Sequence, residues 1–187
     1  MQSSPPLVVV VSGAPATGKT TLARRLARDV GGRLLSKDAI KEALADAIGV
    51  PSTVAESSQL GDAAYAALFA LVRSGVAAEE PSVVEANFRR GRAEDELRRA
   101  IGAAELRLVH CTASPERIAA RYRAREGRHR AHLDGLRIAD VGADVTTGRY
   151  APLALPAPTL VVQTDDGYVP GYDVIRAFVS RQTVPSR

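Results

Sequence analysis

The octapeptide Gly13-Ala14-Pro15-Ala16-Thr17-Gly18-Lys19-Thr20 directly follows the apolar run Leu7-Val8-Val9-Val10-Val11 and fits the pattern G-x-x-x-x-G-K-[ST] at every fixed position. This juxtaposition constrains the fold more than any other feature of the chain. A strand must enter the loop and a helix must leave it: the glycines let successive N–H groups turn inward on an anion, and the positive end of the helix dipole faces the same point. The segment Thr20-Thr21-Leu22-Ala23-Arg24-Arg25-Leu26-Ala27 supplies the helical pattern. Residues Gly13 to Thr21 thus form a cradle for nucleotide phosphates, in which Lys19 reaches the β- and γ-phosphates. The Thr20 hydroxyl is a candidate Mg²⁺ ligand, because that ion draws one or two oxygens from protein and the rest from water and phosphate.

With 187 residues and 45% hydrophobic content, the chain reads as a single domain able to bury roughly 70% of its unfolded surface. The starting segment Met1-Gln2-Ser3-Ser4-Pro5-Pro6 lacks a secretory pattern, and no run of about 18 apolar residues is evident, so no membrane association and a cytoplasmic location are expected. Cys111 is the sole cysteine and lies in an apolar run, as a small buried thiol would. The net charge of +4 and pI near 9.6 admit a nucleic-acid partner. All three lysines, Lys19, Lys37 and Lys41, nevertheless fall between the phosphate loop and the next helix. Lys37 and Lys41 are then either solvated side chains at a helix start or further phosphate-facing cations.

Strand patterns at 7–12, 33–36, 82–86, 105–111 and 159–163 alternate with helical patterns at 18–30, 39–47, 55–73, 93–101, 115–125 and 172–181. Continuous apolar strands separated by helices predict a parallel sheet covered on both faces: an α/β three-layer sandwich with right-handed crossovers. Helix 55–73 is apolar enough to serve as core or as a dimer face, so the oligomeric state is open.

Ligands of such sheets bind at the carboxyl ends of the strands. After the second strand stands Asp38, either a helix N-cap or a general base that orients an attacking hydroxyl; its distance from Lys19 along the chain favours the base. After the third strand comes Glu85, either a charge marking the strand end or a holder of the Mg²⁺ water shell. Asn87, Phe88 and Arg89 follow, as lining of an acceptor pocket or, for Phe88, as core. Beyond position 115 the arginines Arg117, Arg121, Arg123, Arg125, Arg128 and Arg130 crowd one helix and the loop after it. They read as a lid over about 121–137 that brings cations to the γ-phosphate, or else as a solvated basic face. His129 and His132 lack the companions of a zinc site.

Together, the phosphate loop, the Leu34-Leu35-Ser36-Lys37-Asp38 segment, the Val83-Val84-Glu85-Ala86-Asn87 segment, the arginine-rich lid and Leu160-Val161-Val162-Gln163-Thr164-Asp165 resemble the P-loop kinases of the zeta-toxin, chloramphenicol-phosphotransferase and polynucleotide-kinase type. The resemblance implies the adenylate-kinase-like P-loop fold, a five-stranded parallel sheet with the phosphate-loop strand at its centre. It implies Asp38 as acceptor-side base, lid arginines at Arg121, Arg125 or Arg128, and Thr164 and Asp165 beside the adenine. Where a polynucleotide kinase of this group carries arginine three residues after the base, this chain has Lys41. The expected activity is ATP- and Mg²⁺-dependent transfer of the γ-phosphate to a hydroxyl of a small molecule, with a nucleoside first and a sugar or hydroxylated antibiotic next. Asp38, Lys41, Asn87, Phe88 and Arg89 would contact that acceptor. The alternatives are a 5′-hydroxyl polynucleotide kinase and a nucleotide-binding regulatory or toxin-like protein.

Overall fold

Every residue of β1 (Leu7–Gly13) is buried, because the strand runs down the middle of the molecule with helices on both sides. Val8 and Val10 face one core, and Leu7, Val9 and Val11 face the other. A strand that feeds two cores has no solvent face, which is why it reads as a continuous apolar run and not as an alternation.

The computed structural model describes residues 4–124, 127–133 and 147–180. Around β1 lie β2 (Arg33–Ser36), β3 (Ser82–Glu85), β4 (Glu105–Thr112) and β5 (Thr159–Gln163), all parallel and in the order β2-β3-β1-β4-β5. The helices are α1 (Lys19–Asp29), α2 (Lys37–Ile48), α3 (Val54–Ala77), α4 (Glu94–Ile101), α5 (Pro115–Arg123) and α6 (Tyr172–Val179). Leu68 and Val72 of α3 and Leu97 of α4 fill the first core, while Leu22 and Leu26 of α1 and Ile175 of α6 fill the second. Each such side chain contributes roughly 1.5–3 kcal/mol of burial. This is the expected α/β sandwich of P-loop proteins, with the phosphate-loop strand central. Buried Cys111 belongs to the second core, and burial pushes its thiol up to about 12.

Two helix boundaries differ from the sequence reading in instructive ways. α2 begins at Lys37, not 39, since Ser36 occupies the N-cap position. α3 continues past 73 through Gly75, where a Cβ would meet nothing within 4 Å, so the rest of the helix carries the roughly 1 kcal/mol penalty of glycine. Its start is fixed by a capping box, in which Thr53 accepts from the Glu56 N–H at 3.1 Å and the Glu56 carboxylate accepts from the Thr53 N–H. α3 has the length and mean hydropathy (1.2) of a membrane-crossing helix, although Glu56, Asp62 and Arg73 interrupt its apolar residues. Here it packs across β2, β3, α2 and α4.

Candidate functional site

The phosphate loop leaves β1 at Gly13, whose φ of +139° and contact with β4 exclude any side chain; a Cβ there would lie 2.3 Å from the Cys111 carbonyl oxygen. Ala16 also holds a left-handed φ of +66°, a strained conformation for a residue with a Cβ and of the kind found at ligand-binding loops. The Thr17 hydroxyl donates to the Ala14 carbonyl at 2.8 Å, which ties the loop to itself. Lys19, the first residue of α1, is buried with its Nζ 3.5 Å from the Ala14 carbonyl and 3.7 Å from Glu85 Oε1.

Glu85 is only 2% exposed and accepts from the Ser36 hydroxyl through Oε2 at 2.8 Å. It therefore links the ends of β2 and β3 to the phosphate-loop lysine and is far from a bare strand-end charge. The donors near the phosphate loop, the Thr20 hydroxyl and the Glu85 carboxylate, are hard oxygens. Among the described residues no three His, Cys, Asp or Glu side chains form a cage. That donor set fits Mg²⁺, which is held mainly by water and phosphate, and does not fit zinc.

Asp38 is not a cap. It stands in the first turn of α2, after Ser36, and its carboxylate receives Lys37 Nζ at 3.2 Å and Arg128 at 3.0 Å. Burial opposes its ionisation, but the charges of Lys37, His132, Lys19 and Arg128 together outweigh burial and hold the carboxyl well below the usual range. Asp38 is thus an anion at any physiological pH.

Arg128 belongs to a segment that lies along α2. The acids Asp38, Glu42 and Asp46 recur every four residues on one face of α2, and they meet Arg128, His132 (2.8 Å) and His129 (3.0 Å) respectively. The short 3₁₀ turn Arg130–His132 is fixed further by the Ser57 hydroxyl, which donates to the Ala131 carbonyl at 2.8 Å and accepts from Lys41 Nζ at 2.7 Å. Lys37 and Lys41 are accordingly buried and engaged, in contrast to the solvated reading. The DAIKEALAD spacing of acids was the signal available for this contact, but the partners lie some 90 residues away.

Of the arginines proposed for the γ-phosphate, Arg128 pairs with Asp38 and Arg121 does not. Arg121 donates to the Ala16 carbonyl at 3.4 Å, the Thr164 hydroxyl at 3.3 Å and the carbonyls of Thr164 and Asp165. It clamps the phosphate loop to the loop after β5. Arg125 and the lid from 134 onward lie outside the described residues. Thr164 and Asp165, expected beside the adenine, are engaged internally: the Thr164 hydroxyl is 2.8 Å from the Thr17 carbonyl and 3.0 Å from that of Thr112, and Asp165 accepts from the Ser114 N–H at 2.9 Å. They build the wall of the nucleotide end by joining β5 to the phosphate loop and to the start of α5.

Next to Lys37 opens a cavity of about 390 Å³ whose lining includes Lys41, Asp62, Tyr65, Asn87, Arg89 and Arg92. Asn87 and Arg89, two of the residues read as lining an acceptor pocket, line this cavity. Phe88 does not: it is 1% exposed and packs behind the cavity with Tyr65 and Phe69, at ring distances of 5.8 and 6.5 Å. The alternation of a short extended segment turns Asn87 and Arg89 outward and Phe88 into the core. Tyr65, which donates to the Asn87 carbonyl at 3.1 Å, was not legible from sequence, because one aromatic residue in an apolar helix carries no mark of a site.

A phosphate loop between the central strand of a five-stranded parallel sheet and its first helix, with carboxylates at the end of the adjacent β3 and just after the edge strand β2, defines a P-loop NTPase-type α/β protein. Residues 8–144 match the AAA domain family, and the chain belongs to it. It is similar to a protein from Chloroflexus aurantiacus j-10-fl described as a candidate kinase, at 30% identity and a TM-score of 0.80 over 87% of this chain and 90% of that one. The fold is shared with a sugar kinase from Janibacter sp. HTCC2649 (21% identity, TM-score 0.57, 86% of each chain). A gluconokinase from Sinorhizobium meliloti 1021 shares it as well (20%, 0.57, 94% and 91%). No curated protein is matched.

Proposed function

We propose that this protein is a kinase that transfers the γ-phosphate of ATP to a hydroxyl of a small molecule bound in the cavity beside Lys37. The observation that carries the reading is the ionised Asp38 carboxylate at the start of α2, paired with Arg128 and with Lys37, which itself lines that cavity. The described kinase-like relative supports it, as do the two sugar-type kinases of the same fold.

In this reaction the acceptor oxygen forms a bond to the γ-phosphorus, the bond from that phosphorus to the bridging oxygen breaks, ADP departs, and the hydroxyl proton passes to an Asp38 oxygen. A carboxylate with so low a proton affinity orients the hydroxyl more than it deprotonates it. That suits a loose transition state, in which nucleophile acidity rises late. Lys19, rising from the loop beneath the phosphates, offsets charge on the leaving side. Arg128, which donates to Asp38, would bridge the acceptor side to the γ-phosphate. Thr20 and Glu85 would hold Mg²⁺, which supplies charge neutralisation on the phosphate oxygens.

The test is transfer of labelled γ-phosphate from ATP to pooled nucleosides, sugars, hydroxylated antibiotics and a 5′-hydroxyl oligonucleotide, with Asp38→Asn in parallel. Labelling of a small molecule that is lost in the variant supports the proposal. Labelling of the oligonucleotide alone makes the protein a polynucleotide kinase, and ATP binding with no labelled product makes it a nucleotide-gated binding protein.

A further inference from the structure

The cavity that would receive the acceptor is unusually cationic for its size. Its lining carries Lys37, Lys41, Arg89 and Arg92 against only two acids, Asp62 and Glu96. Lys37 is matched by Asp38, and Lys41 is spoken for by Ser57. The two arginines differ: neither guanidinium has a carboxylate within ion-pair distance among the described residues, although most arginines of this chain with defined ion pairs have theirs on the outer surface. Arg89 is half-buried on the loop after β3, beside Tyr65, and Arg92 lies three residues on, with its backbone N–H bonded to the Arg89 carbonyl at 3.2 Å. That turn keeps both side chains on one rim of the cavity.

Resting on the kinase reading, we infer that the acceptor is an anionic hydroxy compound whose carboxylate or phosphate is held by Arg89 and Arg92 while its reacting hydroxyl lies at Asp38. Two arguments favour this over a neutral acceptor. Half-buried Arg89 and exposed Arg92, with no carboxylate at ion-pair distance among the described residues, stand on the rim of a cavity of about 390 Å³ and suit the planar, bidentate pairing that carboxylates and phosphates accept. The hydroxyl end of the site is already supplied with its own anion, Asp38, and that anion is neutralised by Lys37 and Arg128. The arginines therefore remain as charge for the ligand. The apolar part of the lining between the two ends comes from Tyr65 and Phe69, whose rings stack at 6.0 Å with Lys37 Nζ 5.5 Å from the Tyr65 ring centre. A cavity of this volume fits a compound of sugar size rather than a polymer.

The experiment uses the full chain and matched acceptors that differ only in charge: a hexose, the corresponding hexonate and the corresponding hexose phosphate, together with a 5′-hydroxyl oligonucleotide. Transfer kinetics are measured with ATP and Mg²⁺, and binding of each compound is measured by calorimetry with a non-hydrolysable ATP analogue present. The expected result is a kcat/KM for one anionic hexose derivative on the order of 10- to 100-fold above the hexose, the effect of a hydrogen-bonded charge pair. Arg89→Gln and Arg92→Gln should each raise KM by a comparable factor with kcat held within about threefold, a split that general destabilisation would not produce. Preference for the hexonate or for the phosphate identifies which anion the site takes. Equal or better use of the neutral hexose, labelling of the oligonucleotide alone, or unchanged KM in both variants overturns the inference. If no compound is phosphorylated, the kinase reading fails by itself. Calorimetry then still decides this inference: an anion bound by the wild type and released by Arg89→Gln upholds it, and no anion bound overturns it.

Discussion

The two ends of the candidate site are built by different means. At the nucleotide end the work falls to backbone: Gly13 fits against the Cys111 carbonyl, Ala16 holds a left-handed turn, and Thr164 and Arg121 bond carbonyl groups of the phosphate loop. At the acceptor end it falls to side chains from three separate segments, with Asp38, Arg128, Lys41 and Ser57 meeting across sequence separations of 16 to 90 residues. A backbone cradle suits a ligand common to a whole class of proteins, namely a polyphosphate. A side-chain pocket can be changed one residue at a time and so suits the ligand that distinguishes one member from another.

This contrast is open to direct attack. The largest expected effect is that of Lys19→Ala, which should lower turnover on the order of 10³-fold, as when a single preorganised charge donor is removed. Labelled transfer from ATP reads it, and near-normal turnover would mean that the nucleotide end does not depend on its lysine. Next comes pH. His110, buried under the phosphate loop with Nδ1 3.0 Å from the Ser12 hydroxyl, is pushed by desolvation down to about 4. In the unfolded chain it would titrate near 6.5, so between those values the unfolded state binds the extra proton. Stability should therefore be intact above pH 6.5 and fall by up to roughly 3 kcal/mol as the pH drops toward 4. His132, also lowered by burial, acts in the same direction. Urea unfolding at several pH values, repeated with His110→Asn, measures the slope; a variant with the same slope would place the sensitivity elsewhere.

At the acceptor end, Asp38→Asn should lower kcat on the order of 10²-fold while leaving ATP affinity within about twofold, because in the proposed reaction the residue faces the acceptor and not the nucleotide. Loss of ATP binding in that variant would erase the division between the two ends. The smallest effect is that of Ser57→Ala, which removes the link between Lys41 and the Ala131 carbonyl and should destabilise the protein by about 1 kcal/mol. Its signature is a raised acceptor KM with unchanged ATP affinity. Equal effects on both ligands would show that the segment packed on α2 serves the whole site.

Legibility followed the same division. Lys19, Asp38, Glu85, Asn87 and Arg89 could be picked out because they sit at the ends of strands whose apolar runs are plain in the sequence, and in a parallel sheet those ends share one edge. Arg121 was visible as a basic residue on a helix, but its target was not, since Arg121 and Arg128 share a composition and differ only in which loop their segments approach. Phe88 was ambiguous because pocket floor and core are both apolar, and only the direction of its side chain separates them.

The sequence by itself determined the fold class, the phosphate loop and the edge of the sheet at which chemistry can occur, for these depend on local pattern: doubly buried strands, a glycine at a positive φ, a helix start after Gly18. Only the tertiary structure decided that the acids of α2 would receive Arg128, His132 and His129. It alone decided that Lys41 would be buried on Ser57, and that Arg89 and Arg92 would share one cavity with Tyr65. Those pairings join segments far apart in the chain, and nothing in either segment alone encodes the distance and direction at which packing of the sheet and its helices brings them together.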